Sequence, residues 1–196
     1  ITDSLSRSTT FAYDAADRRT SITQPDPDGG GSLATPITTF TFDNLDRLTS
    51  LTDPVSNTTS WTYDAVDQVL TEIDPLSKTL TYTYDTAGQL TTIVDRKAQR
   101  RVFVYDDDGR RTQEKWCTTA SGTCTTSRIF TYTYDAADQL TEVNETDSRY
   151  TFTYDNAGRV AGVSSLGSNM PQVKLTNAFD AVGNRTSVSD NLTPSG

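Results

Sequence analysis

The sequence has no histidine, one methionine, two cysteines and no long hydrophobic run. Without histidine it cannot form a Ser-His-Asp triad, a Cys-His pair or an imidazole metal site. No apolar run approaches the roughly 18–20 residues that cross a bilayer, so no membrane span is predicted. Basic residues are also few, 17 Lys and Arg against 26 Asp and Glu, which disfavours nucleic-acid binding. No cofactor motif is present, and no cofactor is predicted.

What the sequence does contain is an aromatic residue followed by aspartate, repeated eight times. The spacings between pairs are 29, 21, 21, 21, 29, 20 and 25 residues, so the base period is about 21. Loop insertions near 25–35 and 117–124 explain the two longest intervals. We therefore predict that residues 1–196 form a single array of about eight units. The aromatic-Asp pairs begin at positions 13, 42, 63, 84, 105, 134, 154 and 179.

Each pair ends a run in which aromatic residues alternate with threonine or another small residue, as in Thr81-Tyr82-Thr83-Tyr84. Strict alternation predicts a strand with two unlike faces, because successive side chains point to opposite sides. Fifteen of the 18 aromatic residues occupy these positions, and we predict that this ladder supplies most of the apolar burial. Its members are Phe11, Tyr13, Phe40, Phe42, Trp61, Tyr63, Tyr82, Tyr84, Phe103, Tyr105, Tyr132, Tyr134, Phe152, Tyr154 and Phe179.

A tight turn is predicted after each pair. The fourth residue beyond each aromatic is always Gly or Asp, which indicates a positive φ, because Gly enters that region freely and Asp tolerates it. These turn residues are Asp17, Asp46, Asp67, Gly88, Gly109, Asp138, Gly158 and Gly183. The aspartate of each pair is expected to accept backbone hydrogen bonds two residues on and so close the turn.

A second strand follows each turn, and several of these strands end at another aspartate: Asp53, Asp74, Asp95 or Asp190. Asp53-Pro54 and Asp74-Pro75 mark a second turn, since proline presets φ for a turn. The unit is therefore strand, turn, strand, turn, and eight units give about sixteen short strands. No segment keeps helical apolar spacing. The predicted fold class is all-β: antiparallel β-hairpin repeats that form a continuous coiled sheet.

The two cysteines, Cys117 and Cys124, flank a six-residue loop that is expected to cap a protruding hairpin. A disulfide is predicted there, which would imply an oxidising destination. The alternative is a reduced, incidental pair. A metal site is not predicted, because two thiols without further Cys or His fall short of four ligands.

The units resemble the RHS/YD-repeat family, whose pattern is an aromatic-Asp pair, two variable residues, Gly, then Arg-Leu. Tyr154-Asp155-Asn156-Ala157-Gly158-Arg159-Val160 carries it almost whole. Asp replaces Gly at positions 17, 46, 67 and 138, and Asn177 replaces the aromatic two residues before Phe179. Ile1 in place of a start methionine, and the tail Thr193–Gly196, lead us to expect a piece of a longer array.

The resemblance implies part of a hollow β-solenoid shell. In bacterial RHS proteins and Tc toxins such a shell encloses a C-terminal toxin, and in animal teneurins a similar shell serves cell-surface recognition. The implied partners are the rest of the parent shell and an enclosed cargo polypeptide. Together with the cysteine pair, the resemblance implies a bacterial protein that is secreted or displayed at the cell surface.

Three functions are weighed. The first is a structural shell segment that encapsulates a C-terminal toxin or effector. The second is a cell-surface adhesion module whose aromatic rings, such as Trp61 and Tyr84, stack on glycans. The third, catalysis by paired carboxylates, is disfavoured, because a catalytic pair should be singular and these aspartates recur in every unit.

Overall fold

The structure is a computed structural model that describes residues 1–4, 7–167 and 170–191. The tail Thr193–Gly196 lies outside the described residues. The chain divides into two compact units: the first comprises residues 1–83 and 93–97, and the second comprises residues 84–92 and 98–196.

Every regular element among the described residues is a β-strand. The first eight are β1 (Thr10–Tyr13), β2 (Arg19–Thr23), β3 (Ile37–Phe42), β4 (Leu48–Thr52), β5 (Thr58–Tyr63), β6 (Val69–Ile73), β7 (Thr79–Tyr84) and β8 (Leu90–Val94). The other eight are β9 (Arg100–Tyr105), β10 (Arg111–Cys117), β11 (Thr126–Tyr134), β12 (Leu140–Glu145), β13 (Ser148–Tyr154), β14 (Val160–Gly167), β15 (Met170–Phe179) and β16 (Arg185–Asp190). None of the described residues belongs to a helix that could cross a membrane.

The strand order in the sheet is the order of the chain, from β1 to β16. Within the first unit, β1 to β7 pair antiparallel with their neighbours, for example Phe40 opposite Leu51 in β3 and β4. Within the second unit, β9 to β16 do the same. The prediction of an all-β fold made of antiparallel hairpins is confirmed.

A β-bulge recurs where a hairpin meets the turn that follows its aromatic-Asp pair. The register shifts beside the aromatic of the aromatic-Asp pair, as between Thr41 and Phe42 and between Thr62 and Tyr63. Equivalent shifts occur beside Tyr13, Tyr134, Tyr154 and Phe179. A bulge bends its strand and increases the local right-handed twist. The sequence pattern gave no sign of this extra residue.

The two faces of each strand differ as the alternation predicts. In the first unit one face carries hydroxyls that bond across strands, such as Thr52 to Thr58 at 2.8 Å and Thr62 to Thr71 at 2.6 Å. The aromatic residues and leucines share the other face. Burial is modest on both: the described residues hold only three buried side chains, Phe103, Cys117 and Glu114. The described strands therefore depend mainly on contacts with their neighbours, since so few of their side chains are buried.

Candidate functional site

The aspartate of each aromatic-Asp pair caps its own turn. Asp14 Oδ1 accepts hydrogen bonds from the backbone N–H groups of Ala16 at 2.9 Å and Arg18 at 3.1 Å. Its other oxygen, Oδ2, accepts from Arg18 Nε at 2.7 Å. The backbone closes the same loop, since Asp17 N donates to Asp14 O at 3.1 Å. The predicted capping role of the aspartate is thus visible in the geometry.

The backbone has positive φ at all eight sequence-predicted turn residues, from 59° at Asp17 to 94° at Gly183. The second row of turns has the same geometry, which the sequence analysis missed. There φ is 67° at Ser56, 60° at Ser77 and 60° at Ala98, residues that rarely adopt this region. Their turns are capped in the same way, as Asp53 Oδ1 accepts from the backbone N–H of Asn57 at 2.9 Å. The missed signal was the fixed three-residue interval after Asp53, Asp74 and Asp95.

An arginine four residues after the capping aspartate links each such turn to the next one. The side chain of Arg47 is only 18% exposed and binds its own Asp43 at 2.7 Å through Nε. Its Nη1 reaches forward to the backbone oxygen of Asp64 at 2.6 Å and to Asp67 Oδ1 at 2.9 Å. Its guanidinium also lies 4.7 Å from the centre of the Tyr63 ring. We call this arrangement, an arginine on its own turn plus the ring and acceptors of the next turn, an arginine joint.

The arginine joint recurs along the chain. Three further arginines lie over the ring of the next aromatic-Asp pair: Arg18 over Phe42, Arg110 over Tyr134 and Arg159 over Phe179. Two of them also pair with the positive-φ aspartate of that turn, Arg18 with Asp46 at 2.7 Å and Arg110 with Asp138 at 2.6 Å.

Where the arginine is replaced by glutamine, the next turn carries glycine. Gln89 Nε2 lies 2.8 Å from the point where a Cβ on Gly109 would be, and Gln139 Nε2 lies 3.0 Å from the same point on Gly158. The glutamine amide thus occupies the space that a side chain at the glycine would need. The choice between Asp and Gly at the turn therefore follows the residue that reaches it from the preceding turn. Arg159 followed by Gly183 is the exception.

Tyrosine hydroxyls add a second link between consecutive units. Tyr63 OH donates to the backbone oxygen of Leu48 at 2.7 Å, one residue after the joint arginine. Three other tyrosines do the same: Tyr105 to Leu90, Tyr134 to Arg111 and Tyr154 to Leu140, each at 2.8 Å. In the last unit Phe179 lacks a hydroxyl, and Asn177 Nδ2 donates to Val160 O at 2.9 Å. This explains why Asn177 can stand where the pattern has an aromatic residue.

The ladder rings are less buried than the sequence suggested. Phe103 is 8% exposed and the other ladder rings are half-buried, except Tyr13, which is 59% exposed. Arginines also contact rings along the strands, with Arg19 near Phe40 at 5.3 Å and Arg111 near Tyr132 at 4.7 Å. Cation–π contacts of this kind are worth about 0.5–1 kcal/mol each at exposed sites. Arginine packing on the rings adds to the apolar burial that the alternating pattern predicts.

Several aspartates that cap turns have a lowered pKa. The hydrogen bond from Arg18 lowers the pKa of Asp14, and that from Arg159 lowers the pKa of Asp155, against the opposing effect of burial. Where the fourth residue is asparagine, its side-chain amide has the same effect: Asn57 lowers the pKa of Asp53 and Asn184 that of Asp180. These carboxylates are held ionised as acceptors within their turns, which is a structural use.

Cys117 and Cys124 form a disulfide with Cα atoms 5.2 Å apart, so that prediction is confirmed. It closes the tip of the β10–β11 hairpin. Arg100 lies beside this loop and donates to the backbone oxygen of Gly122 at 2.9 Å.

The side chain of Glu114 is buried on β10, the strand that ends at Cys117 of the disulfide. The sequence pattern did not predict this buried carboxylate. Glu114 accepts a hydrogen bond from Trp116 Nε1 at 2.7 Å and pairs with Arg111 at 3.2 Å. In the strand register it stands between Phe103 and Phe130. Phe130 and Trp116, which lie outside the ladder, form a tilted ring pair with centroids 5.7 Å apart.

Consecutive antiparallel hairpins, joined by turns of one recurring geometry, define a β-hairpin repeat protein. The RHS Repeat family profile matches residues 1–30, 42–77, 63–100, 105–150 and 134–167, which together exceed half of the chain. The chain belongs to the RHS repeat family. No curated protein matches the sequence.

Solved structures share the fold. A crystal structure of TcdB2-TccC3 without its hypervariable C-terminal region matches with a TM-score of 0.72 and 15% identity, over 94% of this chain. TcdB2-TccC3-Cdc42 has the same score and identity over 92% of the chain. The Photorhabdus luminescens Tc holotoxin pore matches with a TM-score of 0.71 and 14% identity. This chain spans 11% of the length of each of these proteins. The family and the fold support a structural role for the repeats.

Proposed function

We propose that this chain is a wall segment of a hollow shell that encloses a C-terminal toxin or effector polypeptide. The observation that carries the proposal is the arginine joint, because it ties consecutive hairpins together at four places although few side chains of the described residues are buried. A sheet held in this way can extend unit by unit and leave both faces uncovered, which a wall requires.

The repeated bulges support the same proposal. Each lies at the same point of its hairpin, so each adds twist in the same sense. Wide twisted sheets curl instead of staying flat. The likeness to TcdB2-TccC3, one structure of which is described as lacking a hypervariable C-terminal region, adds an analogy. On this proposal the partners are further repeats and an enclosed cargo chain, and the protein acts outside the cell, where the disulfide persists.

The test uses the longer protein from which the repeats come, with its own C-terminal domain. A protease that does not cleave the folded repeats is added, and cleavage of the C-terminal domain is followed with time. We expect cleavage to be slow while the repeats are intact and fast after they are unfolded with urea. The matched variant Phe103→Ala, which loosens one wall strand, should accelerate it. Rapid cleavage of the C-terminal domain inside intact repeats would refute encapsulation.

A further inference from the structure

The outer edge of β1 displays half of an arginine joint. Tyr13 is 59% exposed, and no arginine among the described residues lies over its ring. The Asp17 carboxylate has no ion pair within the described part of the chain, and the carbonyl of Asp14 lies in the same turn. The equivalent groups in a complete joint are the Tyr63 ring, Asp67 and the Asp64 carbonyl, all of which Arg47 contacts.

The first residues of the chain show how a strand would reach this edge. Ile1 and Thr9 exchange backbone hydrogen bonds at 2.9 and 2.8 Å, and Thr2 bridges Ser8 antiparallel. If a strand continued upstream of Ile1 in this register, the fourth residue before Ile1 would pair with Tyr13. Arg47 has this relation to Tyr63, because Ser50 pairs with Ser60. The interval to the following capping aspartate agrees too, since Arg47 precedes Asp53 by six residues, as that upstream position precedes Asp3.

The residue at the turn indicates which side chain the edge accepts. Asp46, Asp67 and Asp138 each receive an arginine from the preceding turn, whereas Gly109 and Gly158 lie under a glutamine. The β1 edge carries Asp17, so it matches the turns that receive an arginine.

The opposite edge differs. In the turn before β16, the position of the joint arginine is held by Asn184, whose Nδ2 donates to Asp180 within its own turn at 3.0 Å. The side chain of Asn184 is shorter than that of arginine, and its amide already donates within its own turn. Among the described residues, the β1 edge therefore presents the acceptors of an arginine joint, and the β16 side has no arginine at the joint position.

We propose that the β1 edge is a docking site for an antiparallel strand of the same repeat type that begins with arginine. The guanidinium of that arginine packs on the Tyr13 ring and binds Asp17 and the Asp14 carbonyl. The carbonyl of the residue after the arginine accepts the Tyr13 hydroxyl, as Leu48 accepts that of Tyr63. This recognition goes beyond the wall function, and it holds whether or not the parent protein encloses a cargo.

The test adds Arg-Leu-Thr-Ser directly before Ile1, and compares it with Gln-Leu-Thr-Ser. Both extensions are made in the wild-type chain and in the Asp17→Gly background. The readout is hydrogen exchange at the Phe11 amide, which points to the same edge as that of Thr9, because alternate residues of a strand bond to the same side. Circular dichroism and the exchange of β4 and β5 amides verify that the rest of the fold is unchanged.

We expect the Arg extension to slow Phe11 exchange about fivefold relative to the Gln extension, as one cation–π contact and one exposed ion pair would. In the Asp17→Gly background, the difference in Phe11 exchange between the Arg and Gln extensions should fall to less than half of its value in the wild-type chain. Equal protection by Arg and Gln in the wild-type chain would overturn the proposal, and so would an advantage that Asp17→Gly leaves intact. Where the natural chain continues upstream, the fourth residue before Ile1 is expected to be arginine, and glutamine there would contradict the inference.

Discussion

Removing the hydroxyl of Tyr63 tests the link between consecutive hairpins most directly. The hydroxyl donates to Leu48 O at 2.7 Å, and the ring also carries the Arg47 guanidinium at 4.7 Å. Tyr63→Phe keeps the ring, its contact with Arg47 and its place in the strand. It removes one hydrogen bond between neutral groups, and nothing else in the joint changes.

The expected cost is about 1 kcal/mol, because a neutral hydrogen bond contributes roughly 0.5–1.5 kcal/mol net. The upper part of that range is not expected, since Tyr63 is only half-buried and water can reach the carbonyl that is left. The matched control is Tyr13→Phe. Tyr13 lies on the outer strand, and its hydroxyl has no acceptor among the described residues, so the same deletion should leave stability within a few tenths of a kcal/mol.

Native-state hydrogen exchange is the appropriate assay, because arrays of repeats depart from two-state unfolding and a single midpoint would average over units. In Tyr63→Phe, amides of β4 and β5 should exchange about fivefold faster, the factor that corresponds to about 1 kcal/mol. Amides of β13 and β14, in the other unit, should keep their rates. Equal effects of Tyr63→Phe and Tyr13→Phe, or no effect of either, would refute the view that the hydroxyl joins the hairpins.

Three further predictions follow from the described contacts. Cys117→Ser with Cys124→Ser should destabilise the β10–β11 tip by about 2.5 kcal/mol, the chain-entropy value for a loop of this length, and reductant should reproduce the effect in exchange measurements. Phe103→Ala should cost about 3 kcal/mol in the exchange of β9 and β10 amides, whereas Phe11→Ala, on the half-buried edge strand, should cost less than half as much in the exchange of β1 and β2 amides. The stabilisation that Asp14, Asp53, Asp155 and Asp180 provide should be complete well above pH 3.8, the ordinary value for aspartate, and should be lost as pH falls through and below that value, because the pKa values of these groups are lowered in the folded chain. Loss of stability on raising the pH from 4 to 7 would contradict that assignment.

Local features of the fold were predictable from the sequence, because they are written into adjacent residues. Alternation such as Thr81-Tyr82-Thr83-Tyr84 indicates a strand, and Gly or Asp at a fixed place indicates a positive φ. The disulfide followed in the same way from two cysteines around a short loop. The joints were not predictable in this way, since Arg18 and Asp46 are 28 residues apart and meet only through the strand register. A signal did exist in the pairing of Arg18, Arg47 and Arg110 with aspartate in the next turn.

The half-buried ladder changes how the stability of this protein should be understood. Apolar burial alone is modest here, as Phe103 and Cys117 are the only buried hydrophobic side chains among the described residues. Each joint instead uses one charged group several times, so that Arg47 caps its own turn, anchors the next one and covers a ring. Because the forward contacts of each joint connect consecutive repeats, stability is a sum over neighbours, and it depends on each unit having the correct successor. A turn whose residue does not match the side chain that reaches it, Asp under glutamine for example, should open locally without unfolding the array.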